Sequence, residues 1–342
     1  MSTMAEQSFP LALRVTALRA LSPSVREIAF EAPPGGAWTP GAHLRLLLPL
    51  PDGRRELRRY SLVGRPRPGQ PWRIAVKRID ASRGGSAFMH ALSVGAQVAA
   101  QAPVNHFELP AGRRPTWIVA GGIGITPLLG HALTLAAADA GALQMDYAVR
   151  EAQDLVYEDE LRGALGERLH THAGSRGERL DVAARIAALP ADAQALACGP
   201  VRLLEAVRDA WTAAGRAPQR LRFETFGTSG HAAAEPFWVS VPRHALRFEV
   251  PADRSLLDTL QEHGVACLAD CLRGECGLCT VDVLEAHGRI DHRDVFMSAE
   301  EKRRNGRLCA CVSRVTGGGI VVDSAWRPDE PPGTPGSMPA RQ

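Results

Sequence analysis

The sequence predicts a multidomain protein: an antiparallel β-barrel, then a parallel α/β sheet, then a small domain built around a cysteine loop. Three observations predict it. Short β-like runs separated by Pro/Gly turns fill the first third, strand-like runs alternate with Ala/Leu-rich helical stretches in the middle, and six of the seven cysteines crowd into the last quarter. At 342 residues the chain has room for two or three domains of roughly 150 residues each. Its 45% hydrophobic and 23% charged residues exclude a disordered, collagenous or disulfide-dense chain. Forty basic residues against 37 acidic ones leave a formal charge of +3, too even a balance to point to nucleic acid or a membrane surface as partner.

The barrel domain is expected over 8–112, with strands at 11–20, 25–31, 43–48, 56–63, 73–79 and 97–102. The α/β domain follows over 113–226, with strands at 117–120, 145–149, 169–172 and 195–198. Its segment 117–138 lacks any formally charged residue and approaches the roughly 20 residues of a membrane span. Gly121, Gly122, Gly124 and Pro127 divide it instead into a strand, a turn and a helix. Residues 227–235 are small and without period, and read as a linker. The third domain, 236–326, is expected to hold a hairpin (237–241, 244–250), a helix over 255–263, the cysteine loop, and strands at 280–284 and 320–323. The tail 327–342 has no apolar period and reads as disordered. The first 13 residues carry Glu6 and no basic cluster before an apolar core, so no secretory signal is expected and the cytoplasm is the default compartment.

Cys271, Cys276 and Cys279 form a C-x4-C-x2-C run, the plant-type ferredoxin spacing, which needs a distant fourth thiolate to complete a 2Fe-2S site. Three ligands from one tight loop require backbone that wraps around sulfur, and Gly274 and Gly277 supply it. Zinc is the alternative, but zinc usually brings two similar knuckles, whereas the far partner is Cys309-Ala-Cys311. In the middle domain, the Gly-rich turn around Gly122 and Gly124, leading into Thr126 and Pro127, suits a pyrophosphate at a helix N-terminus. Taken alone it equally fits a packing turn, because Pro127 replaces the third glycine of the usual fingerprint. In the barrel, Arg58 suits a phosphate, Tyr60 a planar ring, and the amides of Gly84, Gly85 and Ser86 a second anion cradle. An Arg/Tyr pair on a strand also fits a solvated face. His170, His172, His287 and His292 need no metal to explain them, and 300–304 reads as an exposed helical turn.

Taken in order, Arg-x-Tyr-Ser, Arg-Gly-Gly-Ser, Gly-Gly-Ile-Gly-Ile-Thr-Pro, Cys198-Gly-Pro200, and the cysteine run with a late Cys-Val-Ser-Arg resemble the phthalate dioxygenase reductase family, which includes vanillate demethylase reductases. The resemblance implies a flavin barrel, an NAD domain, a C-terminal β-grasp ferredoxin, FMN rather than FAD, NADH as donor and a Rieske-type oxygenase as acceptor. It assigns Arg58, Tyr60, Ser61 and Gly84 to Ser86 to the flavin, and Gly122, Gly124, Thr126 and Pro127 to the dinucleotide; Arg150, directly after the strand ending at Val149, is taken as a further dinucleotide contact. Cys198, Gly199 and Pro200 are assigned to the nicotinamide, with Cys198, Tyr60 and Ser61 as the catalytic set. Phe226 shields the flavin or simply packs, and Cys198 alone also fits a buried strand-end thiol. Family spacing favours Cys309 as fourth ligand. The register of Cys-Val-Ser-Arg and a loop over 286–290 longer by about two residues favour Cys311, which we take. NADH is expected over NADPH because Glu151 and Asp154 near Arg150 make a poor site for a 2′-phosphate. A haem monooxygenase as acceptor, or a redox sensor without turnover, are the competing functions.

Overall fold

The computed structural model describes residues 9–50, 53, 55–79, 84–110, 112–138, 142–226 and 234–324. They fall into two compact units divided between Glu224 and Thr225.

The first unit opens with β1 (Leu11–Ala20), β2 (Val25–Phe30), β3 (Ala42–Pro49), β4 (Arg55–Ser61), β5 (Trp72–Lys77), α1 (Gly85–Ala91) and β6 (Gln97–Asn105). These six strands form one antiparallel sheet in the order β4-β3-β6-β1-β2-β5. A bridge between Leu62 and Ile74 joins its two edges and closes the barrel, which removes the exposed edges a flat sheet would carry. This is why 62–63, expected as the end of a strand, continue past β4 as a single bridge rather than a ladder. Leu13, Val15, Ile28, Phe30, Leu44, Leu46, Leu62 and Ile74 fill the interior and are all buried. They come from alternating positions, the period-2 signature that made the strands readable.

The same unit continues with β7 (Thr116–Gly121), α2 (Ile125–Ala137), β8 (Leu143–Val149), α3 (Glu158–Leu165), β9 (Leu169–Ala173), α4 (Val182–Ala188), β10 (Gln194–Cys198), α5 (Val201–Ala213) and β11 (Leu221–Glu224). All strands of this second sheet are parallel, in the order β11-β10-β7-β8-β9. Every residue of β7 and β10 is buried, as expected for central strands covered on both faces. The uncharged stretch 117–138 becomes strand, turn and helix, and no helix among the described residues is long and apolar enough to cross a membrane. β11 was not anticipated: its four residues are too few for a period to show.

The second unit contains β12 (Phe237–Val241), β13 (Leu246–Val250), α6 (Leu256–Glu262), β14 (Thr280–Ala286), β15 (Arg289–Asp291), α7 (Ala299–Arg304), β16 (Arg307–Cys309), β17 (Arg314–Thr316) and β18 (Gly319–Ser324). A five-stranded mixed sheet runs β13-β12-β18-β14-β16, beside the small ladder β15-β17. α6 packs its buried Leu256, Leu257 and Leu260 into the core this sheet covers. Ser255 caps that helix by accepting from the Asp258 amide at 3.0 Å, and Ser298 caps α7 in the same way. The second hairpin strand starts at Leu246, not 244, because Pro242–His244 forms a 3-10 turn that ends with Ala245 at φ +51°. The strands β15, β16 and β17, three residues each, have no pattern long enough to read.

Residues 227–233 of the expected linker and the whole tail 327–342 lie outside the described residues. Glu235, expected in the linker, is held by the second unit: its carbonyl accepts from Arg314 Nη2 at 2.9 Å.

Within the first unit the two sheets meet at α2. A Cβ on Gly130 would lie 2.3 Å from the Gly64 carbonyl oxygen. Next to it, fully buried His131 bonds through Nε2 to the Phe107 carbonyl at 2.7 Å. Burial pushes the His131 imidazole down from 6.5 to about 4, only partly offset by that carbonyl. The unfolded chain therefore takes up a proton near pH 6.5 that the folded chain resists until about pH 4. Stability supplied by neutral His131 is present above that window and lost as pH falls through it, by about 3 kcal/mol in total. Urea unfolding of the protein between pH 7 and 4 should show this loss, and His131→Gln should flatten the slope. Equal slopes for both proteins would refute it.

Candidate functional site

The parallel sheet begins at its centre with β7, moves outward through β8 and β9, then returns to the other side with β10 and β11. The connections after β7 and β10 thus diverge, leaving a crevice at the carboxyl ends of these neighbouring strands. Two loops line it, and they interlock backbone to backbone. A Cβ on Gly124 would sit 2.3 Å from the Cys198 carbonyl oxygen and 2.8 Å from the Gly199 amide nitrogen, and one on Gly121 would meet Pro200 at 2.6 Å. Only glycine permits that approach. Gly122 has φ +54° with open space where a Cβ would be, the opening through which a pyrophosphate can reach main-chain amides. Thr126 donates through Oγ1 to the Ile123 carbonyl at 3.0 Å, tightening the turn into the 13-residue α2. Pro127 costs nothing in that first turn, where amides have no helical partner anyway.

The structure therefore brings Gly122, Gly124, Thr126, Pro127, Cys198, Gly199 and Pro200 to one crevice. The Cys198 thiol is fully buried. Arg150 is exposed directly after β8, its carbonyl accepting from the Ser175 amide at 2.8 Å. Asp154, expected beside it at the adenosine end, is committed elsewhere: its carboxylate binds Ser22, Ser24 and Lys77 of the barrel. That leaves Glu151 as the carboxylate next to Arg150.

In the barrel, β4 carries Arg58, Tyr60 and Ser61, and α1 starts against it. A Cβ on Gly85 would lie 3.0 Å from Arg58 Nε, so the first turn of the helix rests on the guanidinium stem. Gly84, at φ +98°, caps this helix. Arg58 pairs through Nη1 with Glu56, while its Nη2 is buried with no hydrogen-bond partner among the described residues. A buried guanidinium nitrogen left unmatched is costly, and an anion held between Arg58 and the Gly84–Ser86 turn would satisfy it. Ser86 Oγ accepts from the Ile79 amide at 3.2 Å, fixing the turn. Burial pushes the Tyr60 hydroxyl up to about 12 against the opposing charge of Arg58, so the ring presents a neutral phenol. Ser61 is buried on β4 opposite His43. Arg83 of the Arg-Gly-Gly-Ser motif lies outside the described residues.

The cysteine loop of the second unit is built for thiolates. The amides of Arg273, Glu275 and Cys276 all donate to Cys271 Sγ, at 3.4, 3.3 and 3.4 Å. Such a fan of N–H groups stabilises negative sulfur. It requires Gly274 and Gly277 at φ +73° and +74°, and at both a side chain would collide: with Asp294 Cα at 2.8 Å and with the Phe296 ring at 2.3 Å. The amides of Val295 and Phe296 donate to the Gly274 carbonyl at 3.0 and 3.1 Å, buttressing the loop from below. The Cys309 and Cys311 thiols both hydrogen-bond to Cys279, which holds Cys279 well below the ordinary thiol range and raises the other two. The two candidates then differ. Cys309 ends β16 opposite Thr280 and is fully buried in the apolar core. Cys311 is partly exposed in the following turn and feels the charge of Cys271 as well as Cys279. No three His, Cys, Asp or Glu side chains among the described residues converge on a single ion. A two-iron cluster does not ask for that, since it spreads four thiolates over two metals.

Two contacts were not anticipated. Glu275 accepts from the Thr225 amide at 2.6 Å through Oε1 and pairs with Arg273 at 3.0 Å through Oε2, tying the cysteine loop to the start of the second unit. A lone Glu between Gly274 and Cys276 gives no spacing signal for that role. Phe226 is half-buried and belongs to the second unit.

Residues 241–316 match the family described as a 2Fe-2S iron-sulfur cluster binding domain, and 118–209 match an oxidoreductase NAD-binding domain. The chain is 38% identical over 318 residues to the heme-dependent oxidative N-demethylase beta subunit of Ectopseudomonas mendocina, covering 92% of this chain and 98% of that one. It is 31% identical over 331 residues to the phthalate dioxygenase reductase of Burkholderia cepacia, covering 94% and 100%. A solved structure of phthalate dioxygenase reductase, described as modular for electron transfer from pyridine nucleotides to [2Fe-2S], superposes with a TM-score of 0.70 at 30% identity, covering 93% of this chain and 99% of that one. The crevice, the cysteine loop and full-length similarity agree: the chain belongs to the phthalate dioxygenase reductase family, NAD-binding oxidoreductases with a 2Fe-2S domain that serve oxygenase systems.

Proposed function

We propose that this protein is the NADH-dependent reductase component of a two-component Rieske-type aromatic oxygenase. The observation that carries this is the presence, in one chain, of a glycine-lined dinucleotide crevice and a loop that directs three amides at one cysteine sulfur. FMN would supply the conversion of a two-electron hydride into single electrons, which nicotinamide donors and iron-sulfur centres require. Arg58 and the Gly84–Ser86 turn hold its phosphate, and the buried, unmatched Arg58 Nη2 supports that assignment. Tyr60 and Ser61 lie against the ring system. Gly122, Gly124, Thr126 and Pro127 cradle the pyrophosphate, Arg150 meets the adenosine end, and Cys198, Gly199 and Pro200 flank the nicotinamide. Cys271, Cys276, Cys279 and Cys311 ligate the cluster. The domain limits that go with this reading are 8–112 for flavin, 113–226 for NAD and 236–326 for the cluster, with Thr225 and Phe226 at the NAD end already packed in the second compact unit. The cytoplasm is the matching compartment, because thiolate ligands need reducing surroundings.

A second reading, in which the acceptor is a haem enzyme, draws on the 38% identity to the subunit of a heme-dependent N-demethylase. It keeps every residue role and changes only the acceptor.

Two experiments test the proposal. Cys311→Ser should abolish the assembled cluster, read as acid-labile sulfide and visible absorbance, while Cys309→Ser retains it; the reverse result would reassign the fourth ligand. A protein ending at Phe226 should remain yellow and oxidise NADH with ferricyanide, but should lose reduction of a one-electron protein acceptor such as cytochrome c. Undiminished cytochrome c reduction by that protein would remove the cluster from the electron path.

A further inference from the structure

The segment that follows β8 leaves the nucleotide sheet and binds the barrel. Asp154 Oδ1 accepts from Ser22 Oγ at 2.8 Å and from Ser24 Oγ at 2.9 Å, both in the turn between β1 and β2, and Oδ2 accepts from Lys77 Nζ at 3.1 Å at the end of β5. Burial works against this carboxylate, and the three donors outweigh it, holding it below the ordinary carboxylate range. Three residues on, Tyr157 donates to Glu27 Oε2 of β2 at 2.8 Å. Glu27 is buried and is also met by Arg19 at 3.1 Å and Arg73 at 3.4 Å. Tyr157 sits at φ +63°, a left-handed conformation that a non-glycine residue holds only when its surroundings fix it there. Leu155 and Val156, between the two anchors, are buried. The segment is also tied back to its own sheet, since Tyr147 of β8 donates to the Asp154 carbonyl at 3.1 Å.

Both ends of this strap sit next to cofactor contacts. On the nucleotide side, Asp154 stands four residues after Arg150, at the carboxyl end of the sheet where ligands bind in open α/β folds. On the barrel side, Lys77 leads directly into Arg78, whose amide donates to the Ser24 carbonyl at 2.7 Å, and Ile79, whose amide donates to Ser86 Oγ at 3.2 Å. A path of two residues and one hydrogen bond thus joins the Asp154 anchor to the anion cradle. The sheets also meet where α2 packs Gly130 and His131 against Gly64, Pro40 and Phe107. To that packing the strap adds a charged, directional joint at the strand end.

We propose that Asp154 is a positioning residue for hydride transfer: with Tyr157, it straps the nucleotide sheet to the barrel at the strand end that leads to the flavin phosphate cradle, and so sets the register of nicotinamide on flavin. The inference rests on the cofactor assignments proposed above. Hydride transfer is the step most sensitive to such register, because displacement by about 1 Å can cost about a hundredfold in rate.

The test is anaerobic stopped-flow reduction of the full-length, flavin-loaded protein by saturating NADH, with the long-wavelength charge-transfer absorbance recorded as a measure of ring stacking. Asp154→Ala should slow the limiting rate of flavin bleaching by about tenfold or more and weaken the charge-transfer band, with flavin content unchanged. Asp154→Asn, which still accepts from the serines, should recover much of both. If Asp154→Ala does not retain flavin, Lys77→Met and Tyr157→Phe report the same two quantities. Variants that melt earlier yet keep the parent limiting rate and charge-transfer band would overturn the proposal and leave the strap purely structural. A parent protein that holds flavin but is not bleached by NADH would instead overturn the functional assignment on which the proposal rests.

Discussion

The nucleotide half of this protein depends on one close approach, that of Gly124 to the Cys198 carbonyl across the gap between β7 and β10. A Cβ there would sit 2.3 Å from that oxygen, so any other residue would push the two loops apart and open the crevice they define. The contact explains why glycines occur at 121, 124 and 199 together, because each faces the opposite loop's backbone or Pro200. It also explains why Cys198 is fully buried, since its strand ends where the two loops touch. Function imposes the closeness: a dinucleotide can reach main-chain amides only where no side chain intervenes.

The cysteine loop obeys the same constraint with different chemistry. Its amides must turn inward to sulfur, so Gly274 and Gly277 take left-handed conformations and their missing side chains leave room for Asp294 and the Phe296 ring. Leu272 takes a positive φ as well, at +52°, which a leucine tolerates only when the surrounding structure holds it there. Two residues on, the segment 294–296 braces the loop through two amides on the Gly274 carbonyl. Ligand loop and buttress are far apart in sequence, and the loop is shaped as much by the buttress as by its own glycines.

What could be read in the sequence follows from this. Chemistry that demands fixed local spacing was legible: the C-x4-C-x2-C run, the glycines after β7, and the alternating apolar residues that line the barrel. So was the order of barrel, parallel sheet and cysteine-loop domain, because turn residues and helical stretches punctuate the chain. Contacts that join distant segments left no local trace. Asp154 meets Ser24 across 130 residues, so proximity in sequence made it look like a neighbour of Arg150 at the adenosine end. Glu275 reaches Thr225 across 50 residues. The sequence argument for Cys311 over Cys309 rests on register alone; that Cys309 is fully buried and Cys311 partly exposed after β16 is a difference neither spacing nor composition encodes.

On the proposed function, one chain accepts a hydride and releases single electrons through its cluster. The decisive measurement is anaerobic titration of the intact protein with NADH, followed by visible absorbance and electron paramagnetic resonance. NADH should bleach the flavin and then yield a paramagnetic reduced cluster, with about three electrons taken up per chain, two by flavin and one by the 2Fe-2S centre. A protein that contains flavin, iron and sulfide but whose cluster stays oxidised while NADH fully reduces the flavin is not a reductase of this kind.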